Sequence, residues 1–302
     1  MFLVFLMYAL FASVFTAGKY TLQFVQPFFL TGIRMIFAGS ILLLFIKIKY
    51  PEKLYVRKNH WTLLILIGLF NVFITNAFEF WGLQYMSSAK TCLIYSLSPF
   101  VAIVFSYVLL KEKMNLRKWI GLIIGLVGFV PIYLSRGGKE VNIISFGVFS
   151  LAEIAVTISA FTAVIGWIFI KKLTKQMNYP FFTANAISFF IGGAMSLIVS
   201  AFFEKWRPLP VTNYEYFVYG LVYISIIHNV ICYNLYAYSL QKFTINFMTF
   251  AGITSPVFTA IFGILFLKEK VGWPFFLSLF VVFLGLLIFS IAELSNIRLN
   301  KR

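Results

Sequence analysis

Apolar residues gather in ten stretches of the chain, at about 2–18, 28–46, 62–82, 88–110, 116–134, 145–170, 181–203, 215–238, 244–267 and 273–293. Each stretch approaches the ~20 residues that an α-helix needs to cross a hydrocarbon layer about 30 Å thick. Polar residues fall in the short connections between them. The pattern predicts ten transmembrane helices and an all-α fold, because a helix satisfies its own backbone hydrogen bonds where no water can. No connection is long enough for a separate soluble domain. The first stretch has no basic region ahead of it and nine more follow, so it reads as a span and not as a cleaved leader.

Part of this pattern occurs twice. Leu83-Gln84, Ser98-Pro99, Lys111-Glu112-Lys113 and Gly128 recur as Leu240-Gln241, Ser255-Pro256, Lys268-Glu269-Lys270 and Gly285, each pair 157 residues apart. The copies therefore align without a gap through two apolar runs and the charged turn between them. A weaker match, Pro27-Phe28-Phe29 with Pro180-Phe181-Phe182, lies at an offset of 153. Internal repeats fix architecture ahead of any single residue. The interruption at Arg136 to Ile144, with Gly137-Gly138, divides the chain into units 1–140 and 141–302 of five spans each. An odd number of spans per unit makes the second unit enter the membrane in the opposite sense. Such inverted repeats place a substrate site near the midplane between two halves that rock against each other.

Composition agrees with the membrane reading: 61% of residues are hydrophobic, 11% are charged, and the mean hydropathy is +0.93, which leaves too little polar surface for a soluble globule. A net charge of +16 would point to nucleic acid in a soluble protein, but its distribution points elsewhere. With both termini in the cytoplasm, 16 Lys and Arg fall on the inner side, 8 fall outside, and Arg34 lies within a span. This bias follows the positive-inside rule. It places a multi-pass protein in the cytoplasmic (inner) membrane, with the lipid bilayer and not nucleic acid as its partner.

Polar groups inside the spans are the candidate chemistry, since lipid tolerates them only where protein or a wet cavity receives them. Asn71, Thr75 and Glu79 are spaced by four and form one stripe on the third span. Their partners at the 157 offset are His228, Cys232 and Tyr236 on the eighth, so the repeat keeps polarity without keeping charge. Asn229 adds to that span. Glu153, with Thr157 one turn later, is the second acidic candidate; its structural alternative is a pair with Arg34, which lies at a matching depth. Tyr95 and Ser98 share a face of the fourth span, and Tyr8 occupies the first. These residues form the candidate substrate site. Pro99 and Pro256 remove backbone hydrogen bonds and predict kinks or hinges. Gly121, Gly125 and Gly128 suit close helix packing within the chain or a homodimer contact. The two cysteines, Cys92 and Cys232, lack metal-ligand or redox spacing, and the histidines, His60 and His228, form no metal-binding group.

Ten spans in two five-span repeats, each ending in a Ser-Pro helix, a Lys-Glu-Lys turn and a glycine-bearing span, resemble the EamA family of the drug/metabolite transporter superfamily. The resemblance implies a secondary transporter working by alternating access, with no bound cofactor and no catalytic residues. Family members move amino acids, nucleotide-like metabolites and drugs. Similar carriers in obligate intracellular bacteria exchange S-adenosylmethionine for S-adenosylhomocysteine, which makes this exchange the first activity to test. Export of aromatic or cationic amino acids or of drugs is the alternative. A membrane enzyme would need a cluster of nucleophile, acid/base or metal ligands that the sequence lacks, and a channel would show rings of charge where this chain has single ones.

Overall fold

The computed structural model describes residues 2–110, 114–135, 143–146, 149–243, 248 and 251–299. The Lys111-Glu112-Lys113 turn, the Gly137-Gly138 interruption and the C-terminal Lys301 and Arg302 lie outside the described residues. Nine described helices are long and apolar enough to cross a membrane: α1 (Leu3–Thr21), α2 (Pro27–Lys49), α3 (Lys58–Leu83), α4 (Ser88–Val108), α5 (Leu116–Leu134), α6 (Leu151–Gln176), α7 (Phe181–Phe203), α8 (Tyr214–Ser239) and α10 (Trp273–Ile291). Between the last two lies a shorter apolar helix, α9 (Thr254–Leu267). The protein is a polytopic all-α membrane protein. Its described β-structure is slight: a two-stranded hairpin pairing Ser145–Phe146 with Phe149–Ser150, and an isolated bridge from Val25 to Val211.

Helices α3 and α8 each carry an internal π-helical segment where the sequence predicts plain α-helix, and α6 ends in a third, Lys172–Gln176. In α3 it runs Gly68–Ile74 and in α8 Ser225–Cys232, so the two begin 157 residues apart, the offset of the sequence repeat. A π segment takes more residues per turn than an α-helix and rotates everything that follows it about the axis.

The packing partners follow a regular scheme. Helix α2 packs on α7 and α5 on α10; α1 lies against α9 as α6 lies against α4; and α3 contacts α6 and α7 as α8 contacts α1 and α2. Exchanging the first five spans for the last five maps this set of contacts onto itself. The α5–α10 contact needs glycine. A Cβ at Gly285 would stand 2.4 Å from the Gly125 amide nitrogen, and one at Gly121 would stand 2.7 Å from the Gly285 carbonyl oxygen. The glycine stripe is thus consumed inside the chain.

The prolines sit at helix starts. Helix α4 is broken at Ser96–Leu97 into Ser88–Tyr95 and Ser98–Leu110, and Pro99 lies in the first turn of the second piece, where its missing N–H is harmless. Pro256 occupies the equivalent first turn of α9. Helix α9 stops at Lys268, whose left-handed backbone (φ 54°) ends the hydrogen-bond ladder.

The two ends of the bundle differ. At the end carrying Lys19, the Lys19 ammonium donates to the Leu83 and Gln84 carbonyls at 2.8 and 3.1 Å, tying α1 to α3. Lys90 pairs with Glu153 at 2.8 Å and donates to the Ser135 carbonyl, tying α4 to α6 and to the end of α5. The Glu269 carboxylate accepts from the Ser88 amide and hydroxyl, which caps α4 from the α9–α10 connection. The Glu204 carboxylate accepts from the Phe28 and Phe29 amides, at 2.7 and 2.8 Å, at the start of α2. At the opposite end, which carries Lys171, a cavity opens.

Candidate functional site

The cavity has a volume of about 340 Å³ and enters the bundle from Lys171, Lys172 and Gln176. Helices α1, α3, α4, α6, α8 and α9 supply its wall. Under the sequence repeat these are three equivalent pairs of spans. Lys172 and Gln176 are exposed at the mouth, whereas Tyr8, Glu79 and Cys92 are buried at the depth.

Aromatic rings make most of the deep wall. Trp167 lies 4.3 Å from Tyr236 and 5.3 Å from Tyr233, centroid to centroid. Tyr8 and Phe11 each meet Tyr236 edge-on, and Phe15 meets Tyr95 at 6.1 Å. The Tyr8 hydroxyl donates to the Met248 carbonyl at 2.6 Å, which fixes its ring against the wall. Such a box binds a planar or cationic group by its ring faces; a desolvated cation over one ring gains about 2 kcal/mol.

Glu79 brings negative charge to this box. It is 4% exposed, lines the cavity, and makes no direct ion pair with a described residue. Arg34, also within the membrane, feels its charge without touching it. The Arg34 guanidinium is fully buried behind the wall, where it donates to His228 Nδ1 at 2.8 Å, to Asn76 Oδ1 at 2.8 Å and to Asn229 Oδ1 at 3.4 Å. It also stacks 4.1 Å above the Phe80 ring.

The candidate residues from the sequence divide into two groups. Tyr8, Glu79, Tyr95, Ser98, His228 and Tyr236, with Pro99, line the cavity. Asn71, Thr75, Glu153, Thr157, Asn229 and Cys232 do not, and Pro256 lies outside the lining as well. Asn71 sits where Gly166 lets α6 approach α3, since a Cβ at Gly166 would stand 2.2 Å from the Asn71 Cβ. Thr75 shares a 2.9 Å hydrogen bond with Thr162 at the same contact. Asn71 and Thr75 are taken up by the contact with α6, whereas Glu79, one turn further along the α-helical part of α3, reaches the cavity. Cys232 packs against the Met7 carbonyl, and Asn229 faces α2 through the Met35 sulfur.

Glu153 departs most from expectation. It does not pair with Arg34; it closes a capping box with Ser150 at the start of α6 and bonds to Lys90. Its carboxylate is placed there by helix-end chemistry, because the first turn of a helix presents unpaired amides that favour an anion. Thr157 meets the Tyr133 hydroxyl at 2.7 Å, outside the cavity.

Trp167, Tyr233, Phe11, Phe15 and Arg34 belong to the site or to its support but were not among the candidates. A signal existed for the rings on α1, since Tyr8, Phe11 and Phe15 recur at helical spacing. Another existed for Trp167, which lies inside a span while the other five tryptophans fall near span ends.

The EamA-like transporter family matches residues 1–134 and 150–291, which covers most of the chain. This chain belongs to that family. It is a transporter, not an enzyme. Among curated proteins, the "S-adenosylmethionine/S-adenosylhomocysteine transporter" of Chlamydia muridarum is 35% identical over 270 residues, spanning 89% of this chain and 84% of the relative. The protein of the same description from Chlamydia trachomatis serovar D is 35% identical over 271 residues, 89% of this chain and 82% of that one. "Uncharacterized transporter YoaV" of Bacillus subtilis is 26% identical over 89% of both chains. A crystal structure, 18% identical, superposes with a TM-score of 0.66 over 99% of this chain and 96% of the other, and establishes likeness of fold alone.

Proposed function

We propose that this transporter exchanges S-adenosylmethionine for S-adenosylhomocysteine by alternating access across the cytoplasmic membrane. The carrying observation is the cavity itself: rings of Trp167, Tyr236, Tyr95 and Phe15 around a wall that holds one carboxylate, Glu79. That pairing suits a ligand combining a planar base with a positive centre. The chlamydial relatives bear the names of carriers for this pair of ligands.

Inverted units 1–140 and 141–302 are the frame for this mechanism. The self-mapping helix contacts, the π segments one repeat apart and the symmetric set of lining helices support that arrangement. The Lys171 end carries the inner-side excess of positive charge, so the cavity faces the cytoplasm, both termini lie there, and the Lys19 end is the closed outer side. A homodimer would have to use a face other than the Gly121–Gly125 stripe, which α10 covers.

Glu79→Gln tests the ligand reading. The two ligands differ by the sulfonium methyl, and hence by one positive charge, so removing the carboxylate should weaken S-adenosylmethionine far more than S-adenosylhomocysteine. The measurement is inhibition of labelled uptake by each ligand in proteoliposomes. Equal weakening of both, or uptake driven only by aromatic or cationic amino acids or by drugs, would overturn the reading.

A further inference from the structure

Among the polar groups of the cavity is the imidazole of His228, and its orientation is determined by the residue behind it. Arg34 Nη1 lies 2.8 Å from His228 Nδ1. A guanidinium has five donors and no acceptor. Nδ1 must therefore accept, and the ring proton must reside on Nε2. That nitrogen has no protein partner among the described residues, while His228 lines the cavity. Arg34 is itself held on three further sides, by Asn76, by Asn229 and by the Phe80 ring. Asn76 is clamped in turn by the Asn71 and Val72 carbonyls and by the Tyr233 hydroxyl, at 3.0, 2.9 and 3.0 Å. The donor is thus preorganised and polarised by a buried positive charge that never reaches the ligand.

We infer that His228 Nε2–H, backed by Arg34, binds the α-carboxylate of the ligand's amino-acid portion, while Glu79 takes positive charge and the aromatic box takes the base. This inference rests on the exchange reading above and assigns an orientation within it. The α-carboxylate and the sulfonium of S-adenosylmethionine are a few bonds apart and opposite in sign. The site opposes them with an anion on α3, Glu79, and a cation-backed donor on α8, His228. Arg34 is a positioning residue: it acts through His228 and touches no ligand. The difference in charge between Glu79 and the Arg34-backed His228 is what makes the ligand fit in one direction only.

The test compares S-adenosylmethionine with decarboxylated S-adenosylmethionine, which keeps the base, the sulfonium and the amine. In proteoliposomes containing the wild-type chain, the decarboxylated ligand should show a KM about tenfold higher, the value of one charge-assisted hydrogen bond. His228→Leu should raise KM for S-adenosylmethionine by about the same factor and leave the decarboxylated ligand nearly unchanged, so that discrimination vanishes. His228→Gln, which retains an N–H donor, should restore part of it. Arg34→Lys should lower discrimination without abolishing uptake. Equal KM values for the two ligands in the wild type, or an equal shift of both in His228→Leu, would overturn the inference and leave the exchange reading standing. Should His228→Leu not fold, the wild-type comparison decides alone. Uptake of neither ligand by the wild type would remove the exchange reading and this orientation with it.

Discussion

Glu153→Gln should open the outer side of the transporter. The Lys90–Glu153 pair joins α4 to α6 with its side chains 8% and 0% exposed, so neither charge is solvated while the pair is made. Removing one partner of a buried pair costs roughly 3–5 kcal/mol. Glutamine still accepts from the Ser150 amide, as Glu153 does at 2.7 Å, and that neutral bond retains about 1 kcal/mol. The closed state then loses at least about 2 kcal/mol relative to a state in which α4 and α6 have parted and water reaches Lys90. That is at least about 30-fold in the equilibrium between the two. Cys92 reports it directly, because it lines the deep cavity and, once Cys232 is replaced by serine, is the sole thiol of the chain. In sealed right-side-out vesicles an impermeant cationic thiol reagent, added outside, should label Cys92 at least about 30-fold faster in Glu153→Gln than in the parent. Saturating S-adenosylhomocysteine should protect the thiol in both. External labelling at the parental rate in Glu153→Gln and in Lys90→Met, with transport retained, would refute the view that this pair holds the outer side shut.

Other perturbations address the site and the scaffold separately. Trp167→Ala removes the ring nearest Tyr236 and should raise KM for S-adenosylmethionine by about 30-fold, from about 2 kcal/mol of lost cation–π and stacking energy; uptake kinetics in proteoliposomes measure it. Gly285→Ala forces a Cβ onto the Gly125 backbone and should destabilise the α5–α10 contact by about 1–3 kcal/mol, visible as a lower unfolding temperature in detergent with KM unchanged. Burial pushes the Glu204 carboxyl above its ordinary value, against the opposing bonds from Ser200, Phe28 and Phe29. The folded state then holds this proton to a higher pH than the unfolded state, and its contribution to stability falls as pH rises between the two values. Glu204→Gln should flatten that slope in thermal unfolding measured across the mildly acidic range.

Much of the architecture was legible because it depends on counts that no tertiary detail can override. A run such as 181–203 is too apolar for anything but a span, and the structure has an apolar helix there, Phe181–Phe203. The site was legible only in part. Glu79, Tyr95 and Tyr236 line the cavity, whereas Asn71 and Thr75, spaced by four with Glu79, are consumed by the contact with α6, which leaves no mark in hydropathy. Glu153 was misread because depth within a span was judged without its local context. A Ser three residues ahead of a Glu at the start of a helix is a capping signal, and Ser150 with Glu153 obeys it. Arg34 shows the converse, since its partners come from α3 and α8 and no linear spacing brings Asn76 and His228 together.

Counterflow puts the central claim to its most direct test. Vesicles reconstituted with the full chain are loaded with unlabelled S-adenosylhomocysteine or left empty, and entry of labelled S-adenosylmethionine is followed against concentration. A carrier with one cavity exposed to each side in turn predicts saturable entry that loading accelerates severalfold and that Glu79→Gln suppresses. Entry that rises in proportion to concentration and ignores the internal ligand would contradict it.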